Sequence, residues 1–167
     1  MKLTRMSALF TAILLMLCVL AGCGGDTANV KCVDIVKACR DVSAEGTLDE
    51  WYSYGEEIYD DSFDSLYAVK FDMIDDGAVL QTASGGKADE VSVLHLKENA
   101  DVSVAKNKLA DRISERKKKF EGYKPEEVYK LENAKVIVQG NYVALIACDD
   151  ADAVEAEIRR VISEGAK

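Results

Sequence analysis

One histidine in 167 residues excludes any metal centre built from several imidazoles. Positive charge is also short. Twenty-one Lys and Arg face 30 Asp and Glu, for a formal charge of −9, and Asp41 to Val69 contains no basic residue at all. That balance excludes generic nucleic-acid binding, which rests on neutralising phosphates with Lys and Arg. No internal repeat and no low-complexity tract is present, so the chain is neither a solenoid nor a disordered linker. No local motif sets a nucleophile beside a base, no cofactor is expected, and the glycine-turned loop of an EF-hand is missing.

What is present begins at the N-terminus. Lys2 and Arg5 precede an uncharged run from Met6 to Gly22, which ends in Leu20-Ala21-Gly22-Cys23 and two further glycines. A positive start, an apolar stretch and small residues at its end are the layout of a secretory signal. A spanning helix needs about 20 apolar residues, and this run meets glycines instead. Leu20-Ala21-Gly22-Cys23 resembles the lipobox of bacterial lipoproteins. The resemblance implies a diacylglyceryl group on the Cys23 thiol and cleavage just before it, so residues 1–22 form a removed signal peptide. Two acyl chains anchor stably where one binds only reversibly. Cleavage takes 22 of the 167 residues and two of the 21 basic ones, leaving 145 residues with a formal charge of −11. Such a domain is repelled by anionic lipid, so the acyl chains must hold it to the membrane. Residues 23–29 form the lipidated cysteine and a short tether, and six residues extend at most about 20 Å. The expected location is therefore the outer face of the cytoplasmic membrane, close to the bilayer.

Residues 30–167 read as a single domain. Cys32, Ile35, Val36, Cys39 and Val42 recur with helical spacing. Residues 43 to 64 are acidic and aromatic, with a short helix expected near Thr47. Tyr67, Val69, Phe71 and Met73 alternate with Ala68, Lys70 and Asp72, which predicts a half-buried strand, and Asp75-Asp76-Gly77 reads as a connection. Val91 to Lys97 predicts the next strand. Asn99 is the expected cap of a long helix to Phe120, with Val102, Ala105, Leu109, Ile113 and Phe120 inside and Gly122 at its end. Pro125 opens a short helix. Lys135 to Gln139 and Tyr142 to Cys148 flank Gly140-Asn141, a two-residue hairpin turn. A final helix spans Asp152 to Ser163, with Asp152 and Glu155 fitting a capping box. The order α-β-β-α-β-β-α predicts an α+β fold, an antiparallel sheet of about four strands with helices on one face.

Arg112, Phe120, Tyr123, Pro125, Leu131 to Ala134, Gly140-Asn141-Tyr142-Val143 and the acidic end at Asp149-Asp150 resemble the small lipoproteins grouped as domain of unknown function 4358, found mainly in Firmicutes. Tyr54-Gly55 and Ala88-Asp89-Glu90-Val91 also look like that family. His95 departs from it, standing where the family pattern has a lysine. The resemblance implies a place in a Gram-positive cell envelope and brings no known chemistry.

The candidate functional residues are few. Glu57, Asp60, Asp61 and Asp64 share a helical face and form the candidate calcium ligands, against the ordinary reading of a solvated acidic face. Cys32, Cys39 and Cys148 read as small buried apolar groups, although Cys148 with one of the others would make a disulfide. His95 beside Cys148 or Cys39 would be the only nucleophilic pair. In the hairpin, Val136, Val138, Val143, Leu145 and Ala147 form the expected core side. The opposite side carries Ile137, Tyr142 and Ile146 beside Lys135 and Gln139, and these are the candidate partner-docking residues. The resulting expectation is a lipid-anchored extracytoplasmic binding or accessory protein. It attaches through the lipid on Cys23 and docks an envelope or membrane protein. The competing readings are a cell-envelope hydrolase using carboxylates or a thiol, and a ligand-binding accessory of a transporter or sensor.

Overall fold

A computed structural model describes residues 29–44, 47–53, 67–69 and 71–166. The apolar N-terminal run, Cys23 and the acidic residues Glu57, Asp60, Asp61 and Asp64 lie outside the described residues. Among the described residues no helix is long and apolar enough to cross a membrane.

Five antiparallel strands form one sheet in the order β1-β2-β3-β5-β4. They are β1 (Glu50–Ser53), β2 (Ile74–Gln81), β3 (Glu90–Leu96), β4 (Lys135–Gln139) and β5 (Tyr142–Ala147). Among the described residues the helices are α1 (Cys32–Asp41), α2 (Val102–Tyr123), α3 (Val128–Glu132) and α4 (Ala151–Gly165). The α+β class and the expected element order stand, with β1 added as an edge strand. Residue Gly140 turns the hairpin with φ +56, a conformation that a residue with Cβ rarely adopts. Its register pairs Gln139 with Tyr142, leaving the two-residue turn that the sequence announces.

The helices do not sit on one face, as the alternation had suggested. The inner strands are apolar on both sides, and every residue of β5 is buried. A sheet with two apolar faces needs cover on both. On one face, α1 and α4 bring Ile35, Val36, Cys39, Val154, Ile158 and Ile162 onto Leu80, Val91, Val93, Ala144 and Ile146. On the other, α2 and α3 bring Ala105, Leu109, Phe120 and Leu131 onto Val79, Leu94, Leu96, Val143 and Leu145.

This arrangement corrects the docking face. Tyr142 is 3% exposed, Ile146 0% and Ile137 9%, because α1 and α4 pack over them. The partition of hairpin residues between two faces was legible, but both faces are core. The Tyr142 hydroxyl donates to the Val30 carbonyl and accepts from the Val30 N–H, both at 2.9 Å. It thereby clamps Val30, two residues before α1, to the first residue of β5.

Three local expectations also shift. Residues 71–73 form a 3-10 turn, and the strand begins at Ile74, so Asp75-Asp76-Gly77 lies inside β2. An irregularity between Ile74 and Asp76 absorbs the misfit with β3. The cap of α2 is Asp101, whose Oδ1 accepts from the Ser103 N–H at 2.8 Å, in place of Asn99. Asp152 and Glu155 make no capping box; both bind the ammonium of Lys135 on β4. Ion pairing to a neighbouring strand outcompeted the local cap.

If Ile146 is core, Ile146→Ser leaves a cavity and an unpaired hydroxyl at a fully buried position. A loss of roughly 3–5 kcal/mol is expected in equilibrium urea unfolding. A loss under about 1 kcal/mol would return that face to the surface.

Candidate functional site

The two ends of the sheet carry different chemistry. At the end where β5 starts, Tyr142 holds Val30, and its ring stacks on His95 with centroids 4.2 Å apart. Asp76 Oδ2 accepts from the Cys32 N–H at 2.7 Å, satisfying a free donor in the first turn of α1. Burial lowers the His95 pKa below its ordinary value of 6.5, against the pull of Asp75 and Asp76. The imidazole here is a neutral stacking partner.

The opposite end is built from charge. Glu90, the first residue of β3, has a fully buried side chain. Arg112 donates to its Oε1 from Nε at 2.7 Å and to Oε2 from Nη2 at 2.6 Å, a two-point pairing. Arg116 adds a bond to Oε2 at 2.7 Å, and the Tyr67 hydroxyl one to Oε1 at 2.9 Å. The Arg112 guanidinium also lies 4.6 Å from the centroid of the Tyr67 ring. Burial alone would raise the Glu90 pKa; the charges of Arg116 and Arg112 outweigh it and hold the carboxyl below its ordinary range.

Next to it, Lys130 of α3 and Asp89 are buried charges as well. Lys130 Nζ lies 2.8 Å from Asp89 Oδ2, 3.0 Å from Glu127 Oε2 and 3.5 Å from Asp149 Oδ2. Burial opposes the ammonium, but hydrogen bonds to Asp89 and Glu127 prevail and raise its pKa. Glu127 also accepts from the Ala88 N–H at 3.0 Å, tying the turn before α3 to the start of β3. Tyr129 donates its hydroxyl to Asp149. A cleft of about 290 Å³ opens beside this cluster, walled by Tyr129 and Lys130 of α3, Asn133 just after it, Lys135 of β4, Cys148 and Asp149 after β5, and the first turn of α4. Asp89 Oδ1 is buried without a hydrogen bond.

The sequence candidates fare unevenly against this geometry. Cys32, Cys39 and Cys148 are buried and free. Burial pushes the Cys39 and Cys148 thiols up to about 12 and Cys32 well above its ordinary value, so all three are neutral thiols and poor nucleophiles. His95 pairs with Tyr142 at one end of β5, whereas Cys148 follows Ala147 at the other. Six residues of strand separate them by roughly 20 Å, so the His95–Cys148 pair does not form. Among the described residues no group of three or more His, Cys, Asp or Glu is placed to hold a metal ion.

Sequence reasoning missed Glu90, Asp89, Glu127, Lys130 and Tyr129. One signal was available. Arg112 and Arg116 follow Leu109 at i+3 and i+7, on the inward stripe that ends at Phe120, where an apolar residue is the norm. Two arginines on a core-facing stripe require a buried anion, and Glu90 at the head of an apolar strand supplies it.

A family model described as a domain of unknown function (DUF4358) matches residues 52–148, which hold every residue of the Glu90 cluster. No curated protein and no solved structure matches the chain.

Removing the Glu90 charge alone strands two nearly buried guanidiniums. Glu90→Gln is expected to cost about 3–5 kcal/mol at neutral pH. Because the folded pKa is depressed, the carboxylate's contribution is complete above the ordinary value of 4.5 and is lost as pH falls through the folded one. Urea unfolding at pH 7 and pH 3 checks both parts: the gap between Glu90→Gln and wild type should narrow in acid. A constant gap would contradict the assignment.

Proposed function

The chain belongs to the family described as domain of unknown function 4358, and on that premise we propose that it is a lipid-anchored extracytoplasmic binding protein. The polarity of the domain carries this reading. Val30, where the domain begins, is clamped at the Tyr142 end of the sheet, while the cleft beside Lys130 opens at the far end of β5. A chain attached through Cys23 and the tether of residues 24–29 therefore turns the cleft away from its point of attachment. Cleavage before Cys23 and a diacylglyceryl thioether are the chemistry that the lipobox-like Leu20-Ala21-Gly22-Cys23 supports.

Orientation follows from the same clamp. Tyr142 bonds both polar groups of the Val30 backbone, and Asp76 bonds the N–H of Cys32, so the start of α1 cannot swing freely. A tether of six residues leaves little slack. In this reading the His95–Tyr142 end faces the bilayer. The Glu90 and Lys130 clusters and the lysine-rich end of α2 face outward. Partners and ligands then approach from the envelope side, and the basic run Lys117-Lys118-Lys119 is directed away from lipid headgroups.

A neutral-thiol core and a histidine locked in a ring stack favour binding over thiol-based hydrolysis. The anchoring is tested in growing cells with labelled palmitate. Cys23→Ser is expected to abolish label incorporation and to leave the precursor uncut. A Cys23→Ser chain that matures and takes up label like wild type would contradict the proposal.

A further inference from the structure

We propose that Lys130 and Asp89 condense into an intramolecular isopeptide bond, which fastens α3 covalently to the residue at the head of β3. Distance is the first reason. Lys130 Nζ stands 2.8 Å from Asp89 Oδ2. That oxygen is one C–O bond from the carboxyl carbon, so the nitrogen lies within about 4 Å of the atom it would attack. Amide formation needs the two groups held within reach of each other, and here the fold does the holding. The partners are 41 residues apart in the chain, so only tertiary structure brings them together.

Burial is the second reason. Lys130 is 4% exposed and Asp89 1%. A buried ion pair carries the desolvation cost of both charges, and condensation removes both at once. Exposed pairs such as Lys117 with Glu132 stay hydrated and have no such gain. Glu90 is buried too, but its partners are guanidiniums, which stay protonated and cannot attack.

A third observation is independent of both. Asp89 Oδ1 is buried and accepts no hydrogen bond. An ionised carboxylate in that position forfeits the hydration of a charged oxygen, whereas an amide leaves only a neutral carbonyl there. Burial accordingly raises the Asp89 carboxyl above its ordinary value of 3.8.

The step balances within three side chains. An ammonium proton crosses the 2.8 Å contact from Nζ to Asp89 Oδ2, leaving a neutral amine and a carboxylic acid. Nitrogen then forms the N–C bond at Cγ. Glu127 Oε2, 3.0 Å from Nζ, takes the next proton from nitrogen and returns it to the departing hydroxyl. The C–O bond breaks, one water leaves, and Glu127 is a carboxylate again. The same Glu127 oxygen accepts from the Ala88 N–H, which keeps it in place for this transfer. Nothing is oxidised or reduced, and the cleft walled by Lys130 gives the water an exit.

This inference goes beyond the anchored binding domain and does not rest on it. Tryptic mapping of the full-length chain, aged in folded form at neutral pH, reads the bond directly. Trypsin cuts after Lys87 and Lys97, spares the Lys124–Pro125 bond, and cannot cut after an acylated Lys130. The expected product is a branched peptide that joins residues 88–97 to residues 120–135 and is lighter than their sum by one water. Fragmentation should place the link on Asp89. Lys130→Arg keeps the charge and should remove the branched peptide. Glu127→Gln retains an acceptor for the Ala88 N–H and should slow the branching by roughly a hundredfold. Three results would overturn the proposal: only the linear peptides 88–97 and 120–130 from the aged wild-type chain, a dehydrated but unbranched 120–135 peptide, or branching at the wild-type rate in the Glu127→Gln chain.

Discussion

Burying Glu90 is the constraint on which the rest of the fold depends. An ionised carboxylate inside a protein costs several kcal/mol unless its oxygens are fully paired. Here four hydrogen bonds meet them, three from guanidinium groups and one from a phenol. To deliver those bonds, α2 must cross the sheet with Arg112 and Arg116 over the start of β3. The helix therefore begins near the end of β3, where Leu96 bonds Asn141, and finishes beyond the start of it. Its last turn, α3 and the loop before β3 are then gathered at one end of the molecule. That places Lys130 against Asp89, the residue next to Glu90.

The opposite face answers a different demand. Tyr142, Ala144 and Ile146 need apolar cover, which α1 and α4 provide together. At the far end of α4, Gly165 leaves no room for a side chain. A Cβ there would collide with Val30 Cγ2, so α4 and the Val30 segment touch directly. The Val30 segment is fixed by this contact and by the Tyr142 hydroxyl, and the polarity of the domain follows. One end holds Val30; the other is where charge is concentrated.

The hairpin, the long helix and the element order were legible because each rests on local chemistry: a glycine at a two-residue turn, a 3.6-residue apolar stripe, strict alternation. What was not legible depended on partners distant in sequence. Residues Ile137, Tyr142 and Ile146 read as a mixed surface because Lys135 and Gln139 share their face. Those two side chains reach out to α4, Lys135 to Asp152 and Glu155, and Gln139 to the Arg159 carbonyl and Ser163. Polar residues at the edge of a covered face thus imitate an open one. The strand at Ile74–Gln81 was hidden by Asp75, Asp76 and Gly77, which look like a turn until Asp76 is seen capping α1. The cleft was beyond local reading, since α3, β4, the turn after β5 and α4 each contribute to its wall.

The proposed orientation is tested most directly by paramagnetic relaxation of the isotopically labelled lipidated chain in nanodiscs that carry a gadolinium-chelating lipid. The Val30 clamp predicts strong broadening at Gly140 and Asn141, in the turn beside Tyr142. It predicts sharp signals at Ser84 to Lys87 and at Asp149 to Ala151, around the cleft. Broadening of the cleft residues with Gly140 and Asn141 left sharp would contradict a domain that turns its charged end away from the membrane.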